Sequence, residues 1–471
     1  MIRDGLARLD ATAQAELVRS GACTPFELVD AAIGRIEALN PELNAVIHPL
    51  YDKARAEAAS PDLADGPFRG VPFCVKDAVC HTAGDPYHAG MAFLRDRGWT
   101  ELDDSFLATR FRRAGLVFVG KTNLPELAST HLTEPVAYGP TGNPWDPTRS
   151  TSGSSGGSAA AVASGMVPAA HGNDMGGSIR TPASECGLVG LKPTRARTSL
   201  GPSFGEYWGM LTHEGVLTRS VRDTAGLLDA IAGPMPGDPY SAPLPARPFA
   251  DEVGADPGRL RVGVRTAMPE LGTPPHADCV AAVEVAVTLL DSCGHDVSAS
   301  SPAALDESSA AGMVLFPVAI ARDLERWSER TGEPIGSGDV EPWNWNLAEL
   351  GRSVSATQYL AAVEMLQSWT RRLAAWWEEG FDLLLTPTMP VVPPVIGTVA
   401  AEDVIAYGCF TTPWNITGQP AISLPLHHAP DGLPVGVQLV AAYGREDLLL
   451  RVAAQLEQAA PWADRWPPVS A

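Results

Sequence analysis

The sequence predicts an α/β fold, a sheet covered by helices on both faces. Three observations carry this. Helix-like and strand-like segments interleave along the whole chain. Apolar runs such as Val71–Val79 and Leu116–Val119 read as buried strands, while segments such as 277–292 carry their apolar residues at helical spacing. With 471 residues, 45% hydrophobic and 19% charged, the chain can bury a large core. No fixed-period repeat is present and no linker cuts the chain cleanly, so one domain over residues 1–471 is expected.

Residues 10–20 read as a first helix, ended by Gly21. Thr24-Pro25-Phe26-Glu27 then combines a capping threonine, a proline at the first helical position and a glutamate that can reach back. Leu28, Ala31, Ala32, Ile36 and Leu39 form the apolar stripe of that second helix, and Asn40-Pro41 is expected to stop it. Val71–Val79 is a buried strand carrying one cation, Lys76. A helix over 102–114 and a strand over Leu116–Val119 follow. Residues 139–190 hold 11 of the 45 glycines, with a helix at Ser158–Ser164 and a strand at Val167–Ala170 between Gly/Ser loops. Arg259–Val264 opens a strand–helix–strand unit; Val283, Ala286, Val287 and Leu290 stripe its helix, and Gly294 closes it. Ala421–Leu426 and Val435–Ala441 are two late strands, followed by a helix over Arg445–Ala460.

Charge narrows the function classes. The net charge of −21 repels phosphate backbones, so nucleic-acid and anionic-membrane partners are not expected. No apolar run approaches the roughly 18 residues that span a bilayer. The opening Met-Ile-Arg-Asp-Gly-Leu lacks the basic and apolar segments of a leader, and seven scattered cysteines form no CxxC pair. A reducing, cytoplasmic setting is the expectation.

Three motifs compete for the chemistry. Gly115-Leu-Val-Phe-Val-Gly120-Lys121-Thr122 fits the phosphate-loop pattern, but its four middle residues read as a strand where a loop is needed. Gly153-Ser154-Ser155-Gly156-Gly157 fits the hydrolase elbow pattern, but Pro147–Ser152 before it cannot be a buried strand. The third constellation is Ser154 in one Gly/Ser loop, Ser178 in a second, and Lys76 in an apolar strand. A serine hydroxyl needs a base to become a nucleophile. A lysine serves only if burial lowers its pKa. Consecutive glycines before a serine leave backbone N–H groups open to an oxyanion. Taken singly, Lys76 also fits a snorkelling strand-end residue and Ser178 a turn serine. Spacing alone does not join the three.

A resemblance does. Gly153-Ser-Ser-Gly-Gly-Ser158, Gly176-Gly-Ser-Ile-Arg180-Thr-Pro182-Ala183 and Gly187-Leu-Val-Gly-Leu-Lys-Pro-Thr194 resemble the core of the amidase signature family. Flanking matches are Gly70-Val-Pro72, Lys76-Asp77, Gly120-Lys-Thr-Asn123, Asn143-Pro-Trp-Asp146 and Asn415-Ile-Thr-Gly-Gln-Pro-Ala421. The resemblance spans nearly the whole chain. It implies a large, mixed, twisted sheet with helices on both faces, core parts at about 65–200 and 411–460, and a variable substrate-side excursion at about 200–410. It implies a Ser-cisSer-Lys triad, with Ser178 the nucleophile, Ser154 the bridging serine after a cis peptide, and Lys76 the base. The oxyanion hole maps to backbone N–H groups of Met175, Gly176, Gly177 and Ser178. Asp174 and Arg180 become supports of the loop. No metal or organic cofactor is implied, and dimers are common in the family, so a homodimer is an expectation. The chain departs from the usual pattern at Met175, which lacks a hydroxyl, and at Ala196, where a turn glycine is usual.

The implied activity is hydrolysis of a carboxamide C–N bond in a small linear or cyclic amide. Both ends, Asp10–Gly21 and Gly436–Leu450, together with His171-Gly-Asn-Asp174 and His213-Glu-Gly215, resemble one branch of the family, the 6-aminohexanoate cyclic dimer hydrolases. Two other activities of the family are alternatives: aryl or acyl amidase, and the A subunit of a glutamine-dependent Glu-tRNA amidotransferase. Ser199-Leu-Gly-Pro-Ser-Phe-Gly-Glu-Tyr-Trp208 departs from the latter. A non-catalytic scaffold is the opposing class. Trp327, Trp343, Trp345, Trp369, Trp376 and Trp377 in the excursion fit either an aromatic acyl pocket or ordinary core packing.

Overall fold

Among the residues described by a computed structural model (5–272, 274–307 and 312–471), eleven strands hydrogen-bond into one mixed sheet. Residues 1–4, part of the segment read for a leader, lie outside that description. The strands are β1 (Val46–Pro49), β2 (Pro72–Lys76), β3 (Val117–Thr122), β6 (Ala169–Asp174), β7 (Val189–Lys192), β8 (His213–Thr218), β9 (Arg261–Val264), β10 (Asp296–Ala299), β11 (Leu383–Pro387), β12 (Ala421–His428) and β13 (Pro434–Ala441). A separate hairpin joins β4 (Gly142–Asn143) to β5 (Asp146–Ser150). The order across the sheet is β1-β3-β2-β6-β8-β7-β12-β13-β11-β9-β10. β2 runs parallel to both β3 and β6, whereas β6, β8, β7, β12 and β13 alternate in direction.

Both faces of the sheet are covered because its strands are apolar on both sides. Phe73 and Val75 of β2 enter one core with Phe111, Val216 and Leu449. Cys74, between them, enters the opposite core with Val117, Val119, Ile33 and Ala160. The period of two along a strand sends neighbours to opposite faces, so both cores draw on the same strands. The helix Pro25–Leu43 lies on the second face, capped by the reciprocal Thr24–Glu27 bonds its sequence predicts.

Several boundaries differ from the sequence reading; the strand expected at Val167–Ala170, for one, runs Ala169–Asp174. Pro41 does not stop its helix, which runs on to Leu43. The missing N–H of proline costs one bond in the last turn, and the end is secured instead by Asn44, left-handed at φ 49°, whose N–H donates to the Asn40 carbonyl at 2.8 Å. The Asn40 side chain accepts from the Ala45 and Val46 N–H groups, both at 2.8 Å. The strand expected to end at Val119 continues through Gly120 and Lys121 to Thr122. This removes the phosphate-loop reading, because Lys121 is buried inside a ladder. The strand expected to reach Val79 ends at Lys76, and Val79 sits at φ 64° beyond it. Ala196, in place of the usual turn glycine, keeps the left-handed backbone at φ 60°. Among the described residues no helix is long and apolar enough to cross a membrane.

Candidate active site

β2 and β6 pair only at Phe73–Ala169 and Cys74–Ala170, yet both strands run further. The site is built at the opening between them. Lys76 ends β2 fully buried, and its Nζ donates to Ser154 Oγ at 2.7 Å and to Asn173 Oδ1 at 2.6 Å. Burial lowers the Lys76 pKa from 10.5 to about 7, against the opposing pull of Glu214 and Asp174. The ammonium form is thus disfavoured without being excluded at neutral pH.

Ser154 follows a cis peptide, Gly153–Ser154, and precedes the helix Gly156–Ala163. Gly157 in that helix lies so close to β3 that a Cβ there would sit 2.4 Å from the Asn123 nitrogen. The glycines of this loop are required by packing as much as by conformation. Ser178 lies just before the helix Arg180–Cys186, and its carbonyl accepts the Ser155 N–H at 3.3 Å, which ties the two serine loops together. Gly177 beside it has φ 142°, and a Cβ there would meet Thr411 Oγ1 at 2.4 Å.

Asp174 and Arg180 brace the second loop. The guanidinium holds the carboxylate at two points, Nε to Oδ2 at 2.9 Å and Nη2 to Oδ1 at 2.8 Å. Arg180 also donates to Asn415 Oδ1 at 2.6 Å, Gln438 Oε1 at 2.7 Å and the Thr411 carbonyl at 2.9 Å. Burial alone would push the Asp174 carboxyl up, but Arg180, with Lys192 and Asn415, holds it well below the usual carboxylate range. Asp174 Oδ1 accepts the Gly177 N–H at 2.8 Å. That N–H, expected among the oxyanion donors, is therefore already engaged. The N–H groups of Met175, Gly176 and Ser178 make no hydrogen bond among the described residues. Because both ions of the pair are fully buried, Arg180→Leu is expected to cost about 3–5 kcal/mol by stranding the Asp174 charge. Urea unfolding checks this; a variant within about 1 kcal/mol of the parent would contradict it.

Ser178 opens onto a cavity of about 570 Å³. Its walls include Met175, Leu211, Phe316, Trp208, Trp343 and the segment 401–406, and they are mostly apolar. Of the six tryptophans between residues 327 and 377, Trp343 lines this cavity. Trp369 and Trp376 are core residues, the latter stacked on Phe381 at 4.3 Å. Trp377 packs on Trp414 and Trp327 on Trp99. Trp345 carries Arg352 over its ring, at 4.9 Å. Trp208 is the second indole of the wall, and its N–H is taken by Asp323 at 2.7 Å. Sequence reasoning also missed His131, which lines the cavity beside the Gly176 loop and whose pKa burial lowers to about 4. It missed Asn173 too, although a polar residue two positions from His171 on a strand was a usable signal.

Taken together, the sheet, the two glycine-bounded serine loops and the buried lysine between β2 and β6 describe an amide-hydrolase scaffold. A model of the amidase family matches residues 27–450, and the chain belongs to that family of carbon–nitrogen amide hydrolases. It is 45% identical over 476 residues to the 6-aminohexanoate-cyclic-dimer hydrolase of Pseudomonas sp. (strain NK87), covering 97% of this chain and 96% of that one. A solved structure of 6-aminohexanoate cyclic dimer hydrolase complexed with substrate superposes with a TM-score of 0.94 at 45% identity, over 98% of this chain and 99% of that one. A bacterial aryl acylamidase of the amidase signature family superposes with a TM-score of 0.88 at 25% identity, over 97% of each chain.

Proposed function

We propose that this chain hydrolyses a small cyclic or linear amide of the 6-aminohexanoate cyclic dimer type, through an acyl-enzyme on Ser178. The observation that carries the chemistry is the buried Lys76 Nζ–Ser154 Oγ hydrogen bond beside the loop that presents Ser178 to the cavity. The substrate class is supported by 45% identity over nearly the full length to cyclic dimer hydrolases from two sources.

Neutral Lys76 takes a proton from Ser154 as Ser154 takes one from Ser178. Ser178 Oγ attacks the amide carbonyl, and the N–H groups of Met175, Gly176 and Ser178 are the donors available to the oxyanion. Asp174, held by Arg180, keeps the loop in place through the Gly177 N–H. The proton returns through Ser154 to the leaving amine. Water then hydrolyses the ester, with Lys76 again the base, and no step draws on a metal or organic cofactor.

The division of labour along the chain follows. The parts at about 65–200 and 411–460 carry the reacting groups, and the excursion at about 200–410 supplies Trp208, Phe316, Trp343 and the 401–406 wall of one and the same domain. Such a wall fits an aliphatic ring or chain. The two indoles favour a second reading, an aryl amide. Release of amine from a panel of the 6-aminohexanoate cyclic dimer, its linear dimer, p-nitroacetanilide and glutamine separates them. The cyclic dimer is expected to give the highest kcat/KM. Preference for the anilide would select the second reading, and turnover of glutamine alone would reject both.

A further inference from the structure

Past Cys74–Ala170, β2 has no ladder partner in β6. β3 serves the other side of β2, where the Asp77 N–H donates to the Thr122 carbonyl at 3.4 Å. The Lys76 N–H therefore points toward β6 with no backbone to meet. It meets a side chain, His171 Nδ1, at 3.2 Å. An imidazole nitrogen accepts only when it carries no proton, so the ring proton is on Nε2. There the ring meets Glu214 Oε2, on β8, at 2.5 Å. Glu214 Oε1 has no hydrogen bond among the described residues. His171 and Glu214 are both buried, and the ring also packs edge-on to Phe111, so it has little freedom to turn.

We propose that His171 and Glu214 form a positioning dyad for Lys76. His171 holds the lysine main chain at the point where β2 leaves the sheet, and Glu214 fixes the tautomer that lets it do so. This rests on Lys76 being the base assigned above. The two segments involved, His171-Gly-Asn-Asp174 and His213-Glu-Gly215, are far apart in sequence and meet only through the pairing of β6 with β8. In this arrangement Glu214 also acts on Lys76 through space. The groups facing the lysine are Ser154 and Asn173 at Nζ, Asp174 and His171 on β6, and Glu214 on β8. Asp77 follows it on its own strand and stands 3.7 Å from Lys121 on β3. Cys80 lies near Glu214, and its thiol is pushed up to about 12 by burial, with Glu214 adding to the effect. Of these, Glu214 is the largest influence favouring the charged lysine.

The test measures kcat and KM against pH for the parent, His171→Leu, His171→Asn and Glu214→Gln, on whichever amide of the panel is turned over. His171→Leu removes the acceptor of the Lys76 N–H and is expected to lower kcat about 100-fold with little change in KM. In His171→Asn the carboxamide oxygen can take the place of Nδ1, so this variant is expected to recover at least about tenfold of that loss. Glu214→Gln keeps a partner for the ring but removes the charge. Its acid limb is expected to move to lower pH by about one unit. The dyad is overturned if asparagine is no better than leucine, or if the acid limb of Glu214→Gln stays in place. Should His171→Leu fail to fold, the other two variants decide. Lys76→Ala, run alongside, separates the two assignments. Near-parent activity in it removes the base itself, whereas its loss beside an unmoved Glu214→Gln profile removes the dyad alone.

Discussion

Ser178→Ala is expected to lose turnover by at least about 10⁴-fold while folding as the parent does. The serine is 4% exposed, at the floor of the cavity, and its hydroxyl makes no hydrogen bond among the described residues. Removing one oxygen therefore takes away no contact that holds the loop. That loop stands on the Asp174–Arg180 pair and on the Gly177 bond, neither of which the variant touches. Two measurements check the expectation. Amine release on the panel should vanish, and intact mass after treatment with a fluorophosphonate should show one adduct on the parent and none on the variant. A thermal melt within a few degrees of the parent completes the case. Turnover within about tenfold of the parent would sink the acyl-enzyme assignment.

Lys76→Ala is expected to lower kcat/KM by about 10³-fold or more, and to change the shape of its pH profile. In the proposed mechanism the lysine works in its neutral form. Its pKa, brought down to about 7 by burial, places the acid limb near that pH. Activity should be low below the limb, where the ammonium form cannot accept a proton, and should rise to a plateau above it. The variant should lack this limb. It also leaves Ser154 Oγ and Asn173 Oδ1 without their shared partner, so a modest loss of stability is expected with it. A parent rate flat between pH 6 and 10 would contradict the role of Lys76. So would a variant that keeps both its limb and its rate.

Much of the architecture was legible in local pattern. The reciprocal cap at Thr24 and Glu27, the apolar β2 and β3, and the helix stripe at Val283, Ala286 and Leu290 all depend on residues a few positions apart. The errors fell where a neighbour in space overrode a local signal. Pro41 reads as a stop, but Asn40 and Asn44 supply the bonds that let its helix finish. The strand read as ending at Val119 is carried on through Gly120 and Lys121 to Thr122 by its pairing with β2. The six tryptophans between residues 327 and 377 are indistinguishable by composition. Only the packing of the helix Pro342–Arg352 against the cavity singles out Trp343 among them.

The candidate site divides in the same way. The clustering of glycines around Ser154 and Ser178 is written in the chain, and at Gly157 and Gly177 a Cβ would come within 2.4 Å of a neighbouring atom. The brace of the loop is not. Arg180 reaches Asn415 and Gln438, which stand 235 and 258 residues away.

The sequence by itself determined the α/β class and the two glycine-bounded serine loops, since each follows from short-range sterics or period, while Lys76 was picked out by the family resemblance. It also determined the net charge of −21. The tertiary structure alone decided that Lys76 is fully buried and that its Nζ meets Ser154 and Asn173. It alone brought His171 and Glu214 behind it. The reason is physical. A lysine becomes a base when water is removed from around it, and strands and loops distant in sequence remove that water only after the sheet has formed.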